Sequence, residues 1–546
     1  MIDNHLREEI LEWIELDPDP KTALQLRTWL SENNEDELRR AFSGFLQFGT
    51  AGLRGPMGPG PSCMNRAVVG RTAAGLAAYM RKRNLKSVVI GRETRYGSEE
   101  FTFESAENFS GAGLEVFILP RPLPTPVLAF AVNELQVAAG VMVTASHNPA
   151  QDNGYKVYLG GTVDGQRYYG SQIVPPADVE IAAEIAAIHL AQPRGSQWTV
   201  LDDEIFNKYV ERTAKLSRKS YSNKIVYSAM HGVGTETIQA VFAKAGYAPP
   251  ILVAEQSAPN PDFPTVAFPN PEEPGAIDLS LQMAKAHNAD FVIANDPDAD
   301  RCAAATFDPA TGWRMLRGDE VGALLGYFIA TNRPETTVKK AFANSIVSSS
   351  ILGKIAADHG IEFHETLTGF KWLAKISNLG FGYEEALGYA VDALTVNDKD
   401  GVSAALMLAQ CLGVLTEKGI SIIEYLDEIW ANYGFHRTEQ ISIRVANLEQ
   451  VDRTLDAMRA NVPTQIAGYP VTLFEDLQLP TGGLPTTNGL RFWLLEGARI
   501  IIRPSGTEAK LKCYIEVVRP GGSPEDKVSA EIIVHALKTE LLKTLA

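Results

Sequence analysis

Three aspartates at alternate positions, Asp296-Pro297-Asp298-Ala299-Asp300-Arg301, form the densest concentration of potential chemistry in the chain. In an extended segment such carboxylates point to one side and can enclose one hard cation. Without a cation they would repel one another. Three monodentate carboxylates suit Mg2+, whose octahedron keeps positions for water and a phosphate oxygen. An EF-hand Ca2+ loop is excluded: its glycine at position six is Arg301 here, and its glutamate at position twelve is Phe307. Arg301, beside the carboxylates, could balance an incoming phosphate.

A second group is Thr144-Ala145-Ser146-His147-Asn148-Pro149, followed closely by Asp152-Asn153-Gly154-Tyr155-Lys156. A serine on a sharp loop is a candidate nucleophile or phosphate carrier. His147 and Lys156 supply positive charge or proton transfer, and Asn148 and Asn153 offer amide donors. Phosphoserine carries about −1.5 to −2 charges and needs such company to be held at a site. The competing reading is a polar loop whose Ser, Asn and Asp only cap the backbone. A Ser–His–Asp hydrolase is not indicated, because no G-x-S-x-G elbow surrounds Ser146.

Four weaker stretches carry phosphate- or sugar-binding chemistry. Arg503-Pro504-Ser505-Gly506-Thr507-Glu508 offers an arginine fork, two hydroxyls and glycine-freed N–H groups, an anion cradle unlike a Walker A loop. Glycines likewise surround a single arginine in Gly49-Thr50-Ala51-Gly52-Leu53-Arg54-Gly55. Gly382-Tyr383-Glu384-Glu385-Ala386-Leu387-Gly388 places two carboxylates where sugar hydroxyls could donate to them. Thr368-Gly369-Phe370-Lys371-Trp372 sets a cation and an aromatic beside a glycine. Each of these also reads as an ordinary turn or a capped helix start.

The elements that must position these groups follow from periodicity. Residues 4–46 show the three- and four-residue apolar spacing of helices. Beyond them, short β-branched runs at 87–90, 141–143, 225–227 and 291–294 alternate with helical stretches, which predicts α/β layers with mostly parallel sheets. Three of these runs lead straight into polar loops, Gly91-Arg92-Glu93-Thr94, 144–147 and 295–298, where ligands sit in open α/β sheets. Further strands are expected at 441–445 and 499–502. A chain of 546 residues exceeds one hydrophobic core, and breaks in composition suggest domains at 1–220, 221–333, 334–436 and 437–546. The apolar share of 45%, charged share of 21% and net charge of −16 describe a globular, acidic protein. Nucleic acid and anionic membranes are therefore disfavoured as partners. Scattered cysteines, no basic-then-apolar leader and no apolar run near 20 residues lead us to expect a cytoplasmic protein with reduced thiols.

Taken together and in this order, TASHNP with NGYK, DPDADR, the EEALG loop and RPSGTE resemble the α-D-phosphohexomutase superfamily over nearly the whole chain. FGTAGLRG, QDNGYKVY and Asp398-Lys399-Asp400-Gly401 look most like its phosphoglucomutase-2 and phosphopentomutase branch. The resemblance implies four domains around a central cleft: three related α/β domains and a smaller α+β C-terminal domain. It implies phosphoserine at Ser146 and Mg2+ held by Asp296, Asp298 and Asp300 together with the phosphate on Ser146. Arg54, His147 and Lys156 would lie by the transferred group, with Arg54 and Lys156 the better acid/base candidates. Glu384, with Glu385, would meet sugar hydroxyls. Gly369, Phe370, Lys371 and Arg301 would line the substrate, and Arg503, Ser505, Gly506 and Thr507 would grip the phosphate that is not reacting. The implied reaction interconverts a sugar 1-phosphate and 6-phosphate, glucose phosphate first, in a monomer or homodimer activated by glucose 1,6-bisphosphate or the matching bisphosphate. Many hexomutases carry serine where this chain has Ala386, which puts strict hexose specificity in doubt and leaves pentose phosphates open; mannose phosphate is the other alternative. A metal-dependent sugar phosphatase and a non-catalytic sugar-phosphate sensor are the readings from other classes.

Overall fold

The β-branched runs form strands at Ser87–Arg92, Ala139–Val143, Ile225–Ser228 and Phe291–Asn295. The last three are buried at every position, as expected for parallel strands covered by helices on both faces. The computed structural model describes residues 2–50, 52–190, 192–332, 340–445, 447–505 and 510–545. Its chain falls into two compact units, Met1–Met315 with Gly388–Gly413, and Leu316–Leu387 with Val414–Ala546.

Two sheets organise the first unit. In one, Glu115–Ile118, Ser87–Arg92 and Ala139–Val143 run parallel and Asp152–Leu159 returns antiparallel. In the other, Ile251–Leu252, Ile225–Ser228 and Phe291–Asn295 are parallel and Cys302–Asp308 is antiparallel. Numbered within each sheet, both have the order 2-1-3-4. The helices Asn4–Leu16, Pro20–Ser31 and Glu35–Ala41 confirm the predicted helical start. They add Ile10, Trp13, Ile14, Leu26 and Leu38 to a core shared with the first sheet.

The second unit repeats the order 2-1-3 with parallel strands Glu362–Thr366, Ala341–Ser345 and Leu379–Glu384. Its other sheet is antiparallel, in the order Phe435–Arg444, Lys510–Arg519, Ala498–Pro504, Leu490–Leu494, Tyr469–Asp476, Gln465–Ile466. The two C-terminal strands predicted from sequence belong to this sheet: the first starts earlier, at Phe435, and ends at Arg444, and the second extends past both predicted ends. No single described helix is long and apolar enough to cross a membrane.

The threefold recurrence explains where the chemistry lies. In each parallel sheet the third strand, central in the order, runs into a motif: Ala139–Val143 into Ser146, Phe291–Asn295 into the aspartates, and Leu379–Glu384 into Glu384 and Glu385. The same backbone position carries three different side-chain sets.

One buried acid in the second unit makes stability depend on pH. Asp319, in the first turn of Gly318–Thr331, accepts from the Ser349 N–H at 2.6 Å and the Tyr383 hydroxyl at 2.9 Å. Burial pushes its carboxyl up to about 6. A raised folded-state pKa gives stability that is complete below the ordinary carboxylate range and lost as pH rises through about 6. Asp319→Asn keeps both acceptor contacts without the charge. Between pH 4 and pH 7 the variant should lose roughly 3 kcal/mol less stability than the parent, at most. Urea unfolding at the two pH values checks this; parallel losses would refute it.

Candidate active site

Ser146 sits on the loop after Ala139–Val143, 2% exposed, with φ of 53° in the left-handed region that a non-glycine residue occupies only when held there. The holding groups are Glu93 and Arg95. Glu93 Oε1 accepts from the Thr144 hydroxyl at 2.5 Å and the Ala145 N–H at 3.1 Å. Arg95 donates to the carbonyls of Ser146, Asn148, Pro149 and Asp152 at 2.7, 2.6, 2.6 and 3.1 Å, and its Nε to Glu93 at 3.0 Å. The Phe263 ring covers the guanidinium at 4.8 Å. Arg95→Met would strip four carbonyls of their donor and leave Glu93 as an uncompensated buried charge. The expected cost is about 3–5 kcal/mol. Activity should fall with it even at temperatures where the variant is folded. Denaturant unfolding and turnover below the melting point check this; a change under 1 kcal/mol would show that the loop holds its own shape.

The Ser146 hydroxyl donates to Asp296 Oδ2 at 2.6 Å and lies 3.2 Å from His147 Nδ1. The aspartates are not on an extended segment as expected. Residues 297–299 form a turn with Ala299 at φ of 53°. The turn still gathers one ligand atom from each of Asp296, Asp298 and Asp300 within 4.8 Å, because its backbone is braced from behind. The Val233 N–H donates to the Pro297 carbonyl at 2.8 Å, and a Cβ on Gly232 would lie 2.2 Å from that oxygen. Only glycine permits that approach.

Cations surround the triad. Lys156, on Asp152–Leu159, donates to Asp298 Oδ2 at 2.6 Å and Asp300 Oδ2 at 2.7 Å. Lys399 lies 3.4 Å from Asp300 Oδ2. Thr125 Oγ1 donates to Asp298 Oδ2 at 2.5 Å, and the Arg301 N–H to Asp296 Oδ1 at 3.0 Å. Arg54, on the neighbouring strand Gly52–Pro56, donates to Asn148 Oδ1 at 2.9 Å. Burial opposes the charge of Lys156, yet Asp298 and Asp300 hold its ammonium above the ordinary lysine range. Burial and the flanking cations push His147 well below its ordinary value, leaving the imidazole neutral. Burial and the other two carboxylates push Asp296 well up. Burial works the same way on Asp300, but Lys156 and Lys399 overcome it and hold that carboxyl low. Asp298 Oδ1 and Asp300 Oδ1 are buried without hydrogen-bond partners among the described residues. Hard, orphaned carboxylate oxygens fit a divalent cation with oxygen ligands.

The second unit holds the other predicted residues. Glu384 Oε1 accepts from the Gly369 N–H at 2.7 Å. Gly369, at φ of 113°, precedes the short helix Phe370–Leu373, in which Phe370 and Lys371 are buried. The backbone of Glu385 passes so close to Gly318 that a Cβ there would meet its carbonyl oxygen at 1.8 Å. Burial and Glu384 raise the Glu385 carboxyl, opposed by Ser348 and Arg503, so Arg503 is within electrostatic reach of this loop. Arg503 donates to the Tyr514 hydroxyl at 3.2 Å, and its Nε is buried without a hydrogen-bond partner among the described residues. The Ser505 N–H donates to the Lys510 carbonyl at 2.8 Å; Gly506 and Thr507 lie outside the described residues.

Within the first unit the structure brings Arg54, Ser146, His147, Lys156, Asp296, Asp298, Asp300 and Arg301 together. Sequence reasoning missed Lys399, Thr125, Arg95 and the Gly232 brace. The runs Asp398-Lys399-Asp400-Gly401 and Gly91-Arg92-Glu93-Thr94 had stood out, but nothing in them names a partner.

Models of the phosphoglucomutase/phosphomannomutase family match four consecutive stretches: alpha/beta/alpha domain I at 46–190, domain II at 205–308, domain III at 317–433 and the C-terminal domain at 441–521. A Haemophilus influenzae protein named "Probable phosphomannomutase" is 44% identical over 486 residues, 87% of this chain and 98% of its own. The human phosphopentomutase is 34% identical over 96% of this chain and 93% of its own. A solved Burkholderia thailandensis phosphoglucomutase/phosphomannomutase family protein shares the fold, with a TM-score of 0.70 at 18% identity over 91% of this chain and 97% of that one. Four domain matches in order, together with relatives aligned over nearly their full length, place the chain in the phosphoglucomutase/phosphomannomutase family of the α-D-phosphohexomutase superfamily, as a mutase-type phosphotransferase.

Proposed function

We propose that the protein interconverts a sugar 1-phosphate and the phosphate at the far end of the same sugar, with Ser146 as the phosphoryl carrier. The observation behind this reading is the Ser146 hydroxyl, 2.6 Å from Asp296 within a triad that Lys156 bridges. In the forward step the P–O bond to Ser146 Oγ breaks as a P–O bond to the free sugar hydroxyl forms. The hydroxyl proton passes to the neutral His147 imidazole, since Lys156 and Arg54 are already cationic. The bisphosphate then reorients, its other phosphoryl group returns to Ser146, and the proton goes back to the departing sugar oxygen. Lys156 and Arg54 place positive charge beside the transferring oxygens, where positioning and electrostatics dominate catalysis. Mg2+, held by Asp296, Asp298, Asp300 and an oxygen carried on Ser146, would act as a Lewis acid that offsets phosphoryl charge. Glu384 and Glu385 accept from sugar hydroxyls. Arg301, Gly369, Phe370 and Lys371 line the sugar phosphate, and Arg503, Ser505, Gly506 and Thr507 grip the idle phosphate.

Glucose phosphate is the first substrate of this proposal, with the matching 1,6-bisphosphate as activator. A second reading, pentose phosphate, is favoured by Ala386, which lacks a hydroxyl beside the two glutamates, and by the likeness to a phosphopentomutase. The net charge of −16 fits small-molecule substrates rather than nucleic acid or anionic membranes. We assign the chain to the cytoplasm as a monomer or homodimer, with domain limits at 1–220, 221–333, 334–436 and 437–546.

Phosphorus NMR tests the whole reading, with Mg2+, a trace of glucose 1,6-bisphosphate, and glucose, mannose or ribose 1-phosphate offered separately. Conversion to the 6- or 5-phosphate is expected, and the fastest substrate settles the sugar. Inorganic phosphate alone would mean a hydrolase.

A further inference from the structure

Strand Ala341–Ser345 ends in Ser345-Ile346-Val347-Ser348-Ser349-Ser350, a serine-rich turn to which nothing above assigns a role. Ser345, Ser348 and Ser349 are each 1% exposed. The Ser348 hydroxyl meets Glu385 twice, accepting from its N–H at 3.0 Å and donating to its Oε2 at 3.0 Å. Ser345 Oγ donates to the same carboxylate oxygen at 3.1 Å. One oxygen of Glu385 is therefore committed to this turn.

The turn is gripped from its other side by the antiparallel sheet. Arg499 Nη2 donates to the Ser348 carbonyl at 2.6 Å and pairs with Glu516 Oε2 at 2.8 Å. Glu516 Oε1 accepts from the Ser349 hydroxyl at 2.8 Å and the Ser350 N–H at 2.7 Å, and faces His436 Nδ1 at 2.9 Å. Ile346 and Val347 pack into a small core with Leu477, Ile501 and Tyr514. A buried ion pair adds little net stability over apolar residues of the same size, whereas it does fix geometry where both partners are saturated with hydrogen bonds. Arg499 lies on Ala498–Pro504, the strand whose far end carries Arg503. The same strand thus fixes the carboxylate loop and bears the arginine beside it.

We propose that Ser348 is a positioning residue for Glu385, and that Arg499 fixes Ser348 through its carbonyl. Substrate affinity then depends on a buried cluster that the substrate does not touch. The inference rests on the reading of Glu384 and Glu385 as sugar-contacting carboxylates. The charged and titratable groups facing Glu385 are Glu384, Asp319, Arg503 and Tyr514. Because the Ser348 hydroxyl opposes the upward push of burial on Glu385, its removal moves the acid limb of the KM–pH profile to higher pH.

The experiment compares wild type, Ser348→Ala and Ser348→Thr in the full chain, with glucose 1-phosphate, glucose 1,6-bisphosphate and Mg2+, alongside thermal unfolding. Ser348→Ala should raise KM about tenfold, change kcat less than twofold and shift the acid limb, while Ser348→Thr, which keeps the hydroxyl, recovers most of the affinity. Wild-type turnover with unchanged KM in Ser348→Ala overturns this inference alone. Loss of melting temperature in both variants with KM and the pH profile unmoved also overturns it, since the turn would then be purely structural. A folded wild type that converts none of the sugar phosphates removes the functional reading and this inference with it.

Discussion

Ser146→Ala should reduce turnover to below roughly one ten-thousandth of wild type while leaving the protein folded. The loss follows from the role: without the hydroxyl no phosphoryl group can be parked between the two half-reactions, and no neighbour replaces it. Asp296 Oδ2 lies 2.6 Å from the hydroxyl and His147 Nδ1 3.2 Å from it, and in this reading the first is committed to the cation and the second to the proton. The fold should survive because the loop's shape does not depend on the hydroxyl. Its carbonyls are bound by Arg95, its Ala145 N–H by Glu93 and its Ser146 N–H by the Thr144 hydroxyl at 2.7 Å. Only the hydroxyl's contacts with Asp296 and His147 disappear, which costs about 1–2 kcal/mol. The left-handed backbone at 146 stays as costly for alanine as for serine. Two measurements decide: single-turnover transfer from labelled glucose 1,6-bisphosphate to the protein, and circular dichroism melting. Labelled protein or residual turnover in the alanine variant would move the carrier elsewhere in the chain.

How much of this was legible differs between the motifs and their supports. Ser146, Lys156 and the aspartates could be read because charged and nucleophilic residues cluster within a few positions, and the β-branched runs before Ser146 and the aspartates placed those two groups after strand ends, whereas Lys156 lies inside the strand Asp152–Leu159. The turn at the aspartates could not, because alternate carboxylates suggest an extended segment unless the contact of Gly232 with Pro297 is known. That contact joins positions 65 residues apart, and no periodicity encodes it. Arg95 illustrates the same limit. In sequence it is one arginine after an acidic loop; in three dimensions it satisfies four carbonyls of a loop about fifty residues away. Lys399 reaches Asp300 across a still longer separation. Patterns in sequence reveal groups that act together locally, while the residues that hold them belong to whichever element the topology brings alongside. The common 2-1-3 strand order supplies the missing rule here. Once the third strand of each parallel sheet is recognised as the bearer of a motif, the supports are sought on its neighbours, and Glu93, Arg95, Gly232 and Ser348 are found there.

Removal of one triad charge provides the sharpest test of the cation site. Asp298→Asn keeps the shape and the acceptor for Thr125, which donates to Oδ2 at 2.5 Å, but presents an amide in place of a carboxylate. The buried oxygen Asp298 Oδ1, without a hydrogen-bond partner among the described residues, is the atom that a cation would satisfy. Mg2+ prefers charged, hard oxygens, so its affinity should drop by about a hundredfold or more. Activity at fixed Mg2+ should drop by about a thousandfold, the scale of several kcal/mol of charge stabilisation. Stability gives an independent readout. At a Mg2+ concentration of about 100 times the wild-type dissociation constant, binding to the folded state adds about 2.7 kcal/mol, seen as a rise in melting temperature. The variant should show almost none of that rise at the same concentration. In EDTA the comparison changes sign in its logic: the wild type then holds three crowded carboxylates against Lys156, Lys399 and Arg301, and loss of one negative charge relieves repulsion while weakening the pair with Lys156. These effects oppose each other, so without Mg2+ the two proteins should differ less in stability than they do with it. An Mg2+-dependent rise equal in both proteins would show that the cation binds elsewhere, and the triad would then serve only to hold Lys156 in place beside Ser146.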